Sequence, residues 1–220
     1  NRIGRNKLGS VGPPIDNVQV KIADDGEILV KGPNVMKGFY KAPDKTAEVF
    51  DGEWFRTGDV GYLDADGFLF ITDRKKDLIK KSSGKFIAPG PIEASLRNSR
   101  YIEHAAVIGE ARKFAIAILF PKFQNLEAWA KQNRVPYTSM AELVERPEVQ
   151  QLYEEEVGRV NLGLNRWERI VKFIVSDHEL TIAGGQLTPT MKLKRRIIEQ
   201  EFRDRIEAIY RHYEMVEVSE

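Results

Sequence analysis

Apolar and polar positions alternate in short runs through the first part of the chain. Val18, Val20 and Ile22 alternate with polar neighbours, as do Ile28 and Val30, and this spacing predicts two strands. Asp24-Asp25-Gly26 between them is a hairpin turn signal. A stretch rich in Gly and aromatic residues follows from Gly32 to Gly61. Tyr62-Leu63, the turn Asp64-Ala65-Asp66-Gly67 and the run Phe68-Leu69-Phe70-Ile71 then predict a second hairpin. Up to Thr72 the pattern is strand and turn throughout.

The pattern changes at Asp73. Asp73-Arg74-Lys75-Lys76-Asp77 is fully charged and separates two apolar runs. Beyond it, Leu78-Ile79, Phe86-Ile87, Ala105–Ile108, Phe114–Phe120 and Ile170–Val175 read as strands. Pro91–Arg97 reads as a short helix with Pro at its start, and further helices are expected around Asn125–Asn133 and Pro147–Val160. Ile198, Phe202, Ile206, Ile209 and Tyr213 recur at spacings of three and four, which predicts one long final helix with an apolar face. A basic loop containing Thr and Pro, Leu187–Arg196, precedes it. The chain therefore divides into a β-rich piece at 1–72, a charged joint at 73–77 and an α+β domain at 78–220.

Composition narrows the chemistry. The chain has 220 residues, 42% hydrophobic and 30% charged, ordinary values for a globular protein. With 34 basic and 33 acidic residues the net charge is +1, which gives no electrostatic reason to expect a nucleic-acid partner. Cys is absent, which removes disulfides, thiolate nucleophiles and Cys-ligated metals. The three His lie far apart in sequence, so no metal site is expected. No apolar run is long enough to span a bilayer. Asn1–Gly12 has no initiator Met, no signal core and no transit-peptide character, and it reads as the middle of a longer protein.

Four segments could carry chemistry. In Trp54-Phe55-Arg56-Thr57-Gly58-Asp59, a carboxylate beside a glycine in a loop could accept two bonds from vicinal hydroxyls, such as those of a ribose. It could equally cap its own turn. The Asp73–Asp77 joint fits a hinge or a solvated turn. Ser82-Ser83-Gly84-Lys85 is a small glycine-centred turn that would let a ligand approach the backbone, and it lacks the glycine spacing of a Walker loop. Lys192, in Thr188-Pro189-Thr190-Met191-Lys192-Leu193-Lys194-Arg195-Arg196, could deliver a point charge to a phosphate or carboxylate. Its alternative is a basic, solvated helix start.

Taken together and in this order, the segments resemble the adenylate-forming superfamily of AMP-binding, acyl-activating enzymes. Gly26-Glu27-Ile28-Leu29-Val30-Lys31-Gly32 with Gly38-Phe39-Tyr40 resembles that family's strand-and-turn motif. Trp54–Asp59 resembles W-F-x-T-G-D, and Asp73–Asp77 resembles the D-R-x-K-D hinge. Gly84…Ile87…Pro89…Ile92-Glu93 resembles the segment that follows the hinge, and Lys192…Arg195-Arg196 stands where the family has G-K-x-x-R-R. The glycine of that last motif is Met191 here. Leu78 to Pro89, Leu187 to Lys192 and the extra helical material between Phe120 and Ile170 look most like bacterial long-chain fatty acid–CoA ligases.

The resemblance implies an α+β fold in which the β-rich end of a large N-terminal domain is followed by a small lid domain. It implies ATP with Mg²⁺, bound mostly by a missing N-terminal part, and CoA and a fatty acid as substrates. Asp59 and Arg74 would face the nucleotide and Asp73 would be the pivot. Gly84 and Lys85 would form the CoA-side loop, and Lys192 would be catalytic. It further implies a cytoplasmic enzyme that meets its substrate at the membrane periphery. The family's Ser/Thr/Gly-rich phosphate loop does not occur in the sequence, so the fragment alone is expected to be inactive. Two alternatives stay open: a ligase for medium-chain or aryl acids, and a non-catalytic binding module of the same fold.

Overall fold

The structure, a computed structural model, describes residues 4–218. Contacts between residues divide the chain into two compact units, one ending at Leu78 and one beginning at Ile79.

The first unit is an antiparallel sheet. Its elements are β1 (Gln19–Ile22), β2 (Glu27–Lys31), a short helix α1 (Pro43–Glu48), β3 (Phe50–Asp51), β4 (Trp54–Leu63) and β5 (Leu69–Arg74). The strand order is β1-β2-β4-β3, and β5 also pairs with β4. Both expected hairpins form. Val20 lies opposite Val30 in the first. In the second, the Asp64 carboxylate accepts the amides of Asp66 and Phe68 at 3.0 and 2.9 Å and so closes the turn. Helix α1 corrects the expectation of strand and turn alone. Pro43 opens it with a preset φ, and the Thr46 hydroxyl accepts the Phe39 amide at 2.9 Å. None of its residues is buried, so it left no apolar period to read.

The second unit opens with the small hairpin β6 (Ile79–Lys80) and β7 (Phe86–Ile87), then α2 (Pro89–Arg97), β8 (Ile102–Ile108) and β9 (Ala115–Pro121). Helices α3 (Phe123–Gln132), α4 (Met140–Glu145) and α5 (Pro147–Asn161) lead to β10 (Ile170–Val175). Helices α6 (Arg195–Glu201) and α7 (Arg203–Val218) complete it. Strand β9 is central, antiparallel to β8 and parallel to β10, and every one of its residues is buried. Successive side chains of a strand point to opposite faces. Ala115, Ala117 and Leu119 accordingly pack in one core with residues of α2, α3, α4 and α5. Ile116, Ile118 and Phe120 pack in the other with Ile198, Phe202, Ile206 and Tyr210 of the C-terminal segment.

The expected single last helix is two helices. Phe202, with φ −93° and ψ 11°, interrupts the α-helical run between α6 and α7. Its ring packs edge-on against Phe120 (5.9 Å, 86°) and stacks on His178 (5.7 Å). The apolar repeat survives the break because Ile198, Phe202 and Ile206 stay hydrogen-bonded in i, i+4 steps at 3.0 Å. Helix α4 was not expected. Six residues are too few for a periodic signal, although Ser139 caps it by accepting the Glu142 amide.

Candidate functional site

Asp59 lies within a strand, not in the loop expected for it. Strand β4 is irregular on both sides at this point. Its pairing with β2 shifts between Glu27 and Leu29, and its pairing with β5 shifts between Val60 and Gly61. The segment Thr57–Asp59 is the extra length of a bulge. Gly58 has φ +70° with open space where a Cβ would stand, so backbone conformation and not crowding calls for glycine here. A bulge and a turn use the same residue types, which is why the sequence suggested a loop.

The bulge is held from three directions. The Thr57 hydroxyl donates to the Ile28 carbonyl at 2.8 Å and accepts the Asp59 amide at 3.1 Å. The Gly58 amide donates to Glu27 Oε1 at 3.0 Å. Glu27 is only 4% exposed, and its other oxygen accepts Lys75 Nζ at 2.8 Å; the same ammonium reaches Asp25 Oδ2 at 2.6 Å. The bonds to Asp25 and then Glu27 raise the Lys75 pKa. Glu27 and Lys75 therefore tie the bulge to the charged joint, a link that the sequence quoted without assigning. Asp59 stands directly opposite Arg74 across β4 and β5, and Arg74 Nε lies 2.8 Å from Asp59 Oδ1. The structure thus brings together the two residues expected to face the nucleotide.

The joint itself is ordered. Strand β5 runs through Asp73 and Arg74, the Arg74 amide donates to Asp73 Oδ1 at 2.7 Å, and Lys75–Asp77 form one 3-10 turn. Leu78 is extended, and the second unit starts at the next residue.

Gly84 and Lys85 lie in the turn of the β6–β7 hairpin. Gly84 has φ +78° with open space at its Cβ position. The Lys81 amide donates to the Lys85 carbonyl and the Gly84 amide to the Lys81 carbonyl, each at 2.9 Å. The Ser82 amide donates to the Arg112 carbonyl at 3.0 Å, which ties the turn to the β8–β9 connection. Beneath it, the buried Lys81 donates to the Trp167 carbonyl at 3.0 Å, and burial pulls its pKa down. Lys85 lies 5.3 Å from the centre of the Trp167 ring.

Lys192 is exposed on the returning arm of a tight turn, directly after its tip at Pro189–Met191 and just before α6. The Thr188 amide donates to the Lys192 carbonyl at 2.8 Å, and the Lys192 amide to the Thr188 hydroxyl at 3.0 Å. Leu187 bridges Leu193, and the Lys194 amide donates to the Gln186 carbonyl at 2.8 Å. Met191, where the motif has glycine, sits at φ +60°, the left-handed region that glycine enters freely. The turn keeps its shape at some conformational cost. Among the described residues no group of three or more His, Asp or Glu is placed to hold a metal ion, and no helix is long and apolar enough to cross a membrane.

Residues 76–214 match the family described as AMP-binding enzyme C-terminal domain. The chain belongs to that family. The matched stretch contains Gly84, Lys85 and Lys192 and begins just after Asp59 and Arg74. Curated relatives extend the similarity over more than nine-tenths of the chain. The long-chain-fatty-acid–CoA ligase FadD15 of Mycobacterium tuberculosis is 38% identical over 205 residues, covering 93% of this chain and 34% of its own length. The human long-chain-fatty-acid–CoA ligase 1 is 36% identical, covering 92% of this chain and 31% of its own length. The chain thus spans about a third of these relatives. Among solved structures, the adenylation domain of a carboxylate reductase from Mycobacterium chelonae superposes with TM-score 0.69 at 25% identity, over 92% of this chain and 32% of that one. The O-succinylbenzoate CoA synthetase of Bacillus subtilis in complex with AMP does so with TM-score 0.58 at 29% identity, over 86% of this chain and 35% of that one. The AMP-binding C-terminal domain therefore accounts for the second unit, and the relatives' alignments take in the Asp59 bulge as well.

Proposed function

We propose that this chain is the C-terminal portion of an ATP-dependent long-chain fatty acid–CoA ligase, contributing part of the nucleotide site and the moving lid. The observation that supports it most is the identity of 36–38% to long-chain ligases across more than nine-tenths of the chain. In the first half-reaction a fatty acid carboxylate oxygen attacks the α-phosphorus of ATP, and pyrophosphate leaves. In the second, the CoA sulfur attacks the acyl carbon of the adenylate, its proton passes to solvent, and AMP leaves with the bonding pair.

Each residue then has a task. The Asp59 carboxylate offers about four lone-pair sites; Arg74 uses one, and the others accept the ribose hydroxyls. The Asp59–Arg74 pair keeps the acceptor oriented. Lys192 brings an ammonium to the charge that builds between the attacking carboxylate and the α-phosphate. Its doubly hydrogen-bonded turn supports this reading, because it fixes the backbone from which the Lys192 side chain reaches. Rotation about the 73–77 joint, with Asp73 as pivot, withdraws Lys192 and brings up the Gly84 turn, whose open side leaves room for the arm of CoA. Mg²⁺ accompanies ATP as part of the substrate. The enzyme works in the cytoplasm, and its water-insoluble substrate brings it to the membrane surface.

The full-length enzyme carrying this chain, given ATP, Mg²⁺ and CoA, should release AMP faster with palmitate than with octanoate or benzoate. The chain alone should release none. Preference for benzoate or octanoate would favour the medium-chain or aryl-acid reading, and turnover by the chain alone would refute the division of labour.

A further inference from the structure

The resemblance includes two residues to which the chemistry above gives no task, Glu93 and Arg195. They are 102 positions apart in sequence and meet in the fold: Arg195 Nη2 donates to Glu93 Oε1 at 2.5 Å. The same oxygen accepts the Val107 amide of β8 at 2.8 Å. The pair is well shielded, with side-chain exposures of 11% for Glu93 and 26% for Arg195. Glu93 lies in α2, whose neighbouring residues Ile92 and Leu96 are buried in the core, so its carboxylate is a fixed point of the unit.

Arg195 is the first residue of α6 and stands three positions after Lys192. Around it, Lys192, Lys194 and Arg196 form no ion pair among the described residues, so Arg195 is the charged anchor of this basic stretch. No side chain caps the start of α6. The backbone bonds described above shape the turn itself; the Arg195–Glu93 pair, together with Leu193 packing on the core, fastens the helix start that follows it to α2. A salt bridge adds what apolar packing does not, a direction fixed by hydrogen-bond geometry at a buried carboxylate that is itself pinned by a strand amide.

We propose that Arg195, held by Glu93, is a positioning residue for Lys192: the pair sets where the turn presents the ammonium during adenylation. The proposal rests on the reading of Lys192 given above. Displacing a reacting group by about 1 Å can cost on the order of 100-fold in rate. Loosening the anchor should therefore slow the step that uses Lys192 and spare the step that uses the Gly84 turn, which is fastened separately through Ile87 and Arg112.

The test uses the full-length enzyme with Arg195→Met, Arg195→Lys, Glu93→Gln and, in parallel, Lys192→Ala. Two rates are measured: pyrophosphate release with ATP and palmitate, and thioester formation from supplied palmitoyl-adenylate and CoA. Arg195→Met should lower kcat for adenylation about tenfold or more with little change in KM for ATP, and leave the thioester step within about twofold. Arg195→Lys, which keeps the charge, and Glu93→Gln, which keeps an acceptor for both the Val107 amide and Arg195, should fall between it and the parent. These two decide the matter if Arg195→Met does not fold. Equal loss in both steps would reduce the pair to a structural element and overturn the proposal, and so would unchanged adenylation in all three variants. If Lys192→Ala leaves adenylation intact, the reading of Lys192 fails and the proposal fails with it. If Lys192→Ala abolishes adenylation while the Arg195 and Glu93 variants match the parent, only the proposal fails.

Discussion

The two units hold themselves together differently. In the second, a central strand is buried along its whole length between two apolar cores, each covered by helices. In the first, the buried apolar side chains among the described residues are Ile28, Leu29 and Phe68, while Tyr62 and Ile71 stand 49% and 46% exposed. A fully buried apolar side chain contributes about 1.5–3 kcal/mol, and three of them fall short of ordering a unit of this size. The first unit leans instead on polar fastenings, above all the Glu27 carboxylate shared between Gly58 and Lys75. The second unit carries its own stability, whereas the first, which holds the Asp59 bulge, calls for further cover. The same division suits a lid that moves as a body and a site that is finished elsewhere.

The largest effect should come from separating the units. Residues 79–218 expressed alone should unfold in one cooperative transition, with amides of β8, β9 and β10 the slowest to exchange. Residues 4–78 alone should show no cooperative melt by circular dichroism and little amide protection. A cooperative melt from residues 4–78 alone would break the comparison.

A smaller effect should separate the units by pH. Lys75 first, and the Glu27 amide second, hold the Asp25 carboxyl below its ordinary value of 3.8. A depressed carboxylate stabilises the fold above its unfolded pKa, and that contribution is lost as pH falls through the folded value. In the second unit, burial works against protonation of His178, but hydrogen bonds to Asp177 and Glu201 outweigh it and raise its pKa above 6.5. A raised histidine stabilises below its unfolded pKa, and that contribution is lost as pH rises through the folded value. Acidification from neutral should therefore lower the protection factor of the Gly58 amide, measured against its intrinsic exchange rate at each pH, before it touches β9. Raising the pH past the folded pKa of His178 should loosen the contact between the His178 segment and α6 without affecting Gly58. Both carboxylate and imidazole are half exposed or nearly so, which keeps these effects small through solvent screening. Parallel pH responses in the two units would contradict the scheme.

Much of this fold could be read from the sequence because its signals are local. The Asp-Gly turns gave both hairpins of the first unit, and the apolar runs of β8, β9 and β10 gave the sheet of the second. What escaped was either short or distant. Helices α1 and α4 are six residues each and too brief for a period. The break at Phe202 preserves the apolar spacing and so cannot be seen in it. The bulge at Asp59 borrows the residues of a turn. The tasks of Glu27 and Glu93 depend on partners 31, 48 and 102 positions away, and no local pattern reports such pairs. The site residues stood out through motif order, since a glycine, an aspartate or a lysine taken singly fits an ordinary turn.

The central claim is that Lys192 serves one half-reaction and leaves the other to the Gly84 turn. Its most direct test measures both half-reactions in the full-length enzyme bearing Lys192→Ala. Formation of acyl-adenylate should fall on the order of 10²–10³-fold, as when a preorganised electrostatic donor is removed. Thioester formation from supplied acyl-adenylate and CoA should continue at the parent rate. An equal fall in both rates would contradict the account.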